Sequence, residues 1–198
     1  MRIVLNQVGL QYPTLRQWAA CKAICKTTSL PARFSRQALE KSDGKRIMSK
    51  LADTGSLTPA DLAARAGRAL LDQPFTRLVG AYMGEVSHGR VEFIVDNRPE
   101  LTQNHGFIHG GIIGYLADNA CGAAASTVLP KGAISLVTSE YKISLLRPAT
   151  GERAMARAEV IKSGRRQCVA QAHVYCEDKG EEKLVAVALG TLTYIYPE

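Results

Sequence analysis

The sequence predicts an α+β fold in which a curved antiparallel sheet wraps one long central helix. Three observations carry that expectation. The stretch Gly110–Leu129 is apolar at every angle of a helix, with Ile112, Ile113, Tyr115, Leu116, Ala120, Cys121, Ala124 and Val128 pointing in all directions. Two strand-like runs precede it and four follow, and the last three are joined by turns too short to hold a crossover helix. Small residues (Gly111, Gly114, Ala117, Gly122, Ala123, Ala125) let a sheet come close to the helix. A chain of 198 residues holds one such domain and a modest extra.

Taken in order, residues 1–50 show weak periodicity. Gln11–Lys26, after Pro13, and Phe34–Lys41 are helix candidates without a clear apolar stripe. Thr58-Pro59-Ala60-Asp61 supplies a capping Thr, a Pro at the first helical position and an acid in the first turn. Leu62, Ala63, Ala66, Ala69 and Leu70 follow at helical spacing, so a helix is expected over about 59–72, with Pro74 ending it. Arg77–Ser87 and Arg90–Asp96 read as strands about a His88-Gly89 turn, and Pro99–Ile108 as loop. Gly110–Leu129 is the central helix, stopped by Pro130 and expected to be buried on all sides. Strands Ile134–Leu146, Glu152–Ser163, Arg165–Glu177 and Lys183–Tyr194 complete the chain, with hairpin turns at Ser163-Gly164 and Asp178-Lys179-Gly180. In the second of these, Ala154, Ala156, Ala158 and Val160 alternate with Met155, Arg157 and Glu159, the period of a half-buried strand.

The net charge of +7 belongs to one end of the chain. Residues 1–47 hold nine Lys/Arg against Glu40 and Asp43, and the rest balances to zero. A nucleic-acid partner is therefore not expected from the basic pI. The expected organisation is a basic, disordered extension over 1–47 and a self-contained domain over 48–198. Such an extension could lie upstream of the true start codon; an organelle-targeting peptide is the other reading. Five cysteines with no C-x-x-C pair read as free thiols in a reducing cytoplasm, where the protein is expected to reside. Gly110–Leu129 holds Asp118, Asn119 and four glycines, so a core helix is expected rather than a membrane span, and no membrane partner follows.

Asp118 is the one formally charged side chain between His109 and Pro130. An acid inside an apolar helix points either to a functional site or to a carboxylate paired with an arginine or capping a loop. His109-Gly110-Gly111 starts the same helix. Its backbone N–H groups and helix dipole suit an oxygen gaining negative charge, or simply make a tight loop-to-helix turn. His105-x3-His109 has metal-like spacing but no third ligand, so no metal is expected. Gly110-x3-Gly114 reads as close helix–sheet packing, and Cys121 as a buried, inert thiol.

His109-Gly110-Gly111-x4-Leu116-x-Asp118-x3-Gly122-x-Ala124, with Gln103-Asn104-His105-Gly106-Phe107-Ile108 before it and Leu146-Arg147-Pro148 after it, resembles the hotdog-fold acyl-CoA thioesterases of the PaaI type (phenylacetate degradation, 4-hydroxybenzoyl-CoA thioesterase-like). The resemblance spans roughly Leu57 to Ile195. It implies hydrolysis of an aromatic or medium-chain acyl-CoA to free acid and CoA, with no metal and no cofactor. By position, Asp118 matches the general base or nucleophile, and Gly110 the N–H that polarises the carbonyl. Gln103, with Asn104 one residue off, matches the amide near the thioester, and Thr138 the hydroxyl that holds water. His109 is matched to orienting the loop and substrate or to a structural role, and Gly111 lies beside the substrate. The family builds this site across a homodimer or homotetramer interface, Asp118 and Thr138 of one copy facing Gly110 and Gln103 of the other. Arg165 and Arg166 are candidate partners for the CoA phosphates or solvated surface. Phe107, Tyr115 and Tyr82 are expected to shape the acyl pocket. The alternative function is a non-catalytic acyl-CoA-binding regulator, for which the basic residues 1–47 would bind DNA. A hydratase would need an Asp-x4-His pattern that the helix lacks.

Overall fold

The computed structural model describes residues 57–197. The expectations for residues 1–47, and for 48–56 of the domain, lie outside the described residues. Helix α1 spans Pro59–Leu70 and α2 Pro74–Val79; β1 (Tyr82–Ser87) and β2 (Arg90–Asp96) follow, then a short 3-10 turn over Pro99–Leu101. The central helix α3 is Gly110–Ser126, and β3 (Ser135–Leu145), β4 (Arg153–Ser163), β5 (Gln167–Asp178) and β6 (Glu181–Ile195) close the chain. The six strands form one sheet in the order β1-β2-β4-β5-β6-β3, antiparallel throughout.

Two boundaries depart from the sequence reading. Thr58 and Asp61 cap α1 reciprocally, as the Thr-Pro-x-Asp pattern requires: Asp61 N donates to Thr58 Oγ1 at 3.2 Å and Thr58 N to Asp61 Oδ2 at 3.1 Å. Pro74, however, not only follows α1; it opens α2, and Arg77–Val79 are helical rather than strand. A proline set for the first helical turn starts a helix as readily as it ends one. Gly80, at φ +75°, stops α2 in the left-handed conformation, and the strand begins at Tyr82. The central helix ends at Ser126, three residues before the expected end. There the Ser126 and Thr127 hydroxyls donate to the carbonyls of Ala123 and Ala124 at 2.6 and 2.7 Å, and competition of this kind favours helix termination.

The sheet's inner face is built largely from alanine. Register puts Phe93 beside Ala156, Ala156 beside Val174 and Val174 beside Ala186; the next row is Val91, Ala158, Ala172 and Ala188. Leu116, Ala117, Ala120, Ala123 and Ala124 of α3 pack on this face, fully buried. Small residues on both sides let helix and sheet approach closely while leaving few voids. The helix is not buried on all sides, contrary to the sequence reading. Asp118, Asn119 and Gly122 are only partly covered, because β3, on that side, is the sheet's edge strand. Val137, Tyr141 and Leu145 on β3 are 53%, 45% and 59% exposed. No helix among the described residues is long and apolar enough to cross a membrane.

Candidate functional site

Along α3 the positions facing β3 recur every fourth residue: Gly110, Gly114, Asp118 and Gly122. A Cβ at the three glycines would meet Leu145 Cδ1 at 3.5 Å, the Tyr141 hydroxyl at 3.4 Å and Leu136 Cδ1 at 3.9 Å respectively. The stripe therefore lies directly under the edge strand, and Asp118 is the one ionisable side chain on it. Close helix–sheet packing, expected from Gly110-x3-Gly114, is what these contacts describe.

Opposite Asp118 the strand changes register. Thr138 pairs with Leu192 but Glu140 with Thr191, so Ser139 is an extra residue, a bulge. A bulge re-aims its neighbouring side chains. Here the Thr138 hydroxyl donates to Asp118 Oδ1 at 2.8 Å. Oδ2 has no hydrogen-bond partner among the described residues. A carboxylate held by one oxygen, with the other free to accept, is placed for proton abstraction or nucleophilic attack. The carboxyl and the hydroxyl both line a cavity of about 840 Å³ bounded by α1, α3, β3 and the segment joining α3 to β3. Asn119, on the same wall, donates to the Tyr115 carbonyl at 3.0 Å.

The N-terminus of α3 holds the other expected residues. His109 is its capping residue: Gly111 N donates to His109 Nδ1 at 2.9 Å, and the N–H groups of Ile112 and Ile113 go to the His109 carbonyl. Accepting that bond leaves Nδ1 without a proton. Of the first four N–H groups of α3, Gly110 N–H alone has no partner among the described residues. It is an uncommitted donor at the positive end of the helix dipole. Gln103 is engaged within its own loop: Oε1 accepts from His105 N at 2.7 Å, and its backbone bonds Phe107 and Gly106. Asn104 is exposed beside it.

Within one chain the expected site is divided into three places. Asp118 and Thr138 meet in the cavity. His109, Gly110, Gly111, Gln103 and Asn104 gather at the helix start; Asp118 is eight positions along the helix from Gly110, about 12 Å. Arg165 and Arg166 are exposed on the β4–β5 turn, where the Arg166 carbonyl accepts from Tyr194 N and the Arg165 carbonyl from the Tyr196 hydroxyl, and neither lines the cavity. Of the expected pocket formers, Tyr115 instead packs edge-on against Phe75 and donates to or accepts from Thr76 at 2.6 Å, and Tyr82 reaches Asp96 on β2. Neither they nor Phe107 line the cavity.

Burial, then the Asp118 charge, pushes the Cys121 thiol up to about 12, so it stays protonated, as an inert buried cysteine should. No cluster of three or more His, Cys, Asp or Glu suited to a metal occurs among the described residues. The sequence reading missed Arg65, Arg68 and Ser126 on the cavity wall. Arg65 had a signal: it falls three residues after Leu62, on the face that buries Leu62, Ala66 and Leu70.

A family model described as the thioesterase superfamily matches residues 105–183. A solved thioesterase family protein from Silicibacter pomeroyi is 38% identical, with a TM-score of 0.66, covering 69% of this chain and 99% of that one. The chain belongs to the thioesterase superfamily. The hotdog architecture is that of its neighbours. The phenylacetic acid degradation protein PaaI of Thermus thermophilus is 27% identical over 62% of this chain and all of its own, at a TM-score of 0.54. The medium/long-chain acyl-CoA thioesterase YigI of Escherichia coli is 25% identical over 136 residues, 62% of this chain and 84% of its own. This superfamily member is a thioester hydrolase.

Proposed function

We propose that this thioester hydrolase cleaves an acyl-CoA, aromatic or medium-chain, to free acid and CoA, in a site shared by two copies of the chain. The observation that carries the reading is the Asp118–Thr138 hydrogen bond of 2.8 Å on the wall of the large cavity. As general base, Asp118 takes a proton from a water held by Thr138, and the hydroxide adds to the thioester carbonyl. The oxyanion is met by Gly110 N–H; collapse breaks the C–S bond, and the CoA thiolate takes the proton back from Asp118. As nucleophile, the carboxylate itself adds to the carbonyl and expels the thiolate, leaving an anhydride that water opens.

Gly110 and Asp118 of one chain are about 12 Å apart along α3, too far to act on one carbonyl. The reading therefore takes Gly110 and Gln103 from a second copy, with Gly111 and Asn104 beside the substrate and His109 holding the loop. The exposed apolar side chains of the edge strand β3 favour such a partner. Arg165 and Arg166 remain candidates for the CoA phosphates. Residues 48–198 are proposed to carry the activity and residues 1–47 to be dispensable for it, which a chain beginning at Met48 tests.

The central experiment is Asp118→Asn with an acyl-CoA panel and a thiol reagent. Hydrolysis should be lost while circular dichroism and oligomeric mass stay unchanged; turnover near that of the parent chain refutes the assignment. Label in Asp118 after a single turnover in ¹⁸O-water establishes the anhydride route, with water entering at the aspartyl carbon, because the general-base route labels only the product acid.

A further inference from the structure

Arg65 lies on the cavity wall formed by α1 and is only 9% exposed, yet its Nε is buried with no hydrogen-bond partner. Among the described residues neither Arg65 nor Arg68 is in an ion pair. Arg68, three residues on along the same helix, also lines the cavity, so two like charges stand together there. Burial first, and Arg68 second, pull Arg65 below the ordinary arginine value, with Asp61 acting the other way. An arginine does not give up its proton at neutral pH. The nearby carboxylates do not pair with it: Asp61 caps α1 at Thr58, and neither Asp61 nor Asp118 forms an ion pair with Arg65. Gln73 on the same wall is tied to the Ala69 carbonyl at 2.7 Å. A buried guanidinium with no ion pair and an unpartnered Nε is costly, and a cavity open beside it is where an anion would sit.

We propose that the acyl group taken by this cavity carries a carboxylate of its own, received by the guanidinium of Arg65 with Arg68 beside it. The inference rests on the reading of the Asp118 cavity as the acyl site. A planar guanidinium presents paired donors that match a carboxylate two by two, which gives orientation as well as attraction. The substrate class is thus the CoA half-esters of dicarboxylic acids, in preference to simple fatty acyl-CoA of equal length.

The test compares adipyl-CoA with hexanoyl-CoA, equal in chain length and differing in the terminal carboxylate, on the full-length protein. The expected result is a higher kcat/KM for adipyl-CoA. In Arg65→Met that ratio should fall by about tenfold or more, the scale of a charge-assisted hydrogen bond in a water-poor site, while Arg65→Lys keeps part of it. Hexanoyl-CoA hydrolysed as well as adipyl-CoA by the parent chain overturns this proposal and leaves the acyl-CoA reading standing; that comparison needs no variant to fold. An equal rise in KM for both esters in Arg65→Met assigns the guanidinium to the CoA phosphates and overturns it as well. Hydrolysis of neither ester nor any other in the panel counts against the acyl-CoA reading itself, and this inference falls with it.

Discussion

Asp118 and Thr138 are twenty residues apart in the chain and 2.8 Å apart in the fold. If Thr138 holds the carboxylate and water in place, Thr138→Val should lower kcat by about tenfold or more with KM little changed, whereas Thr138→Ser should recover most of the loss. Activity kept in Thr138→Val and lost in Thr138→Ser would mean that β-branched packing, not the hydroxyl, matters there. Asp118 itself was legible from the sequence, because one charge in an apolar helix stands out whatever the fold. The resemblance put Thr138 in the same site, but local pattern did not show their bond: it depends on the one-residue bulge at Ser139, and strand composition does not announce a bulge. Cys121 makes a simpler prediction. With its thiol held at about 12, it should resist iodoacetamide at pH 8 in the folded chain and react once urea unfolds it, as read by peptide mass mapping.

At the scale of elements, the helix start separates two roles for His109. As the cap of α3 it bonds Gly111 N, so His109→Ala should cost about 1 kcal/mol of stability. A loss of kcat well beyond that, at a temperature where the variant is fully folded, would add a role toward substrate. The alanine rows of the sheet set the closeness of α3. Ala120 is fully buried, and Ala120→Leu should destabilise by about 1–3 kcal/mol in chemical denaturation, since neither surface has room to move. Helix α3, the capped α1 and the four later strands were each readable from local periodicity. Helix α2 was not, because a proline is the same residue whether it closes one helix or opens the next. The partial exposure of α3 was also invisible, since an all-round apolar helix does not say which neighbour stands at the sheet's edge.

For the whole molecule, Gly151 ties the turn before β4 to the end of β5. It sits at φ +140°, and a Cβ there would stand 2.3 Å from the Glu177 carbonyl oxygen. Gly151→Ala should therefore destabilise by about 3 kcal/mol, near the upper end for a single substitution, because the atom it meets is backbone. Stability should also depend on alkaline pH. Burial lifts the Cys121 and Cys176 thiols to about 12 and about 11, from an ordinary value of 9.0. The unfolded chain sheds those protons first, so the stabilisation is complete below about pH 9 and declines as pH rises toward 12. A urea midpoint that stayed level across that range would contradict it. The α+β class, the helix at its centre and Asp118 as its one charge could all be read along the chain, because helix stripes, turns and charge patterns depend on residues close in sequence. The family resemblance placed there is borne out by the superfamily to which the chain belongs. Strand order, the bulge that brings the Thr138 hydroxyl to 2.8 Å from Asp118 and the burial of Arg65 with an unpartnered Nε were decided only by packing. Each depends on surfaces distant in sequence that become neighbours when apolar faces are buried together, and no local pattern records which surfaces those will be.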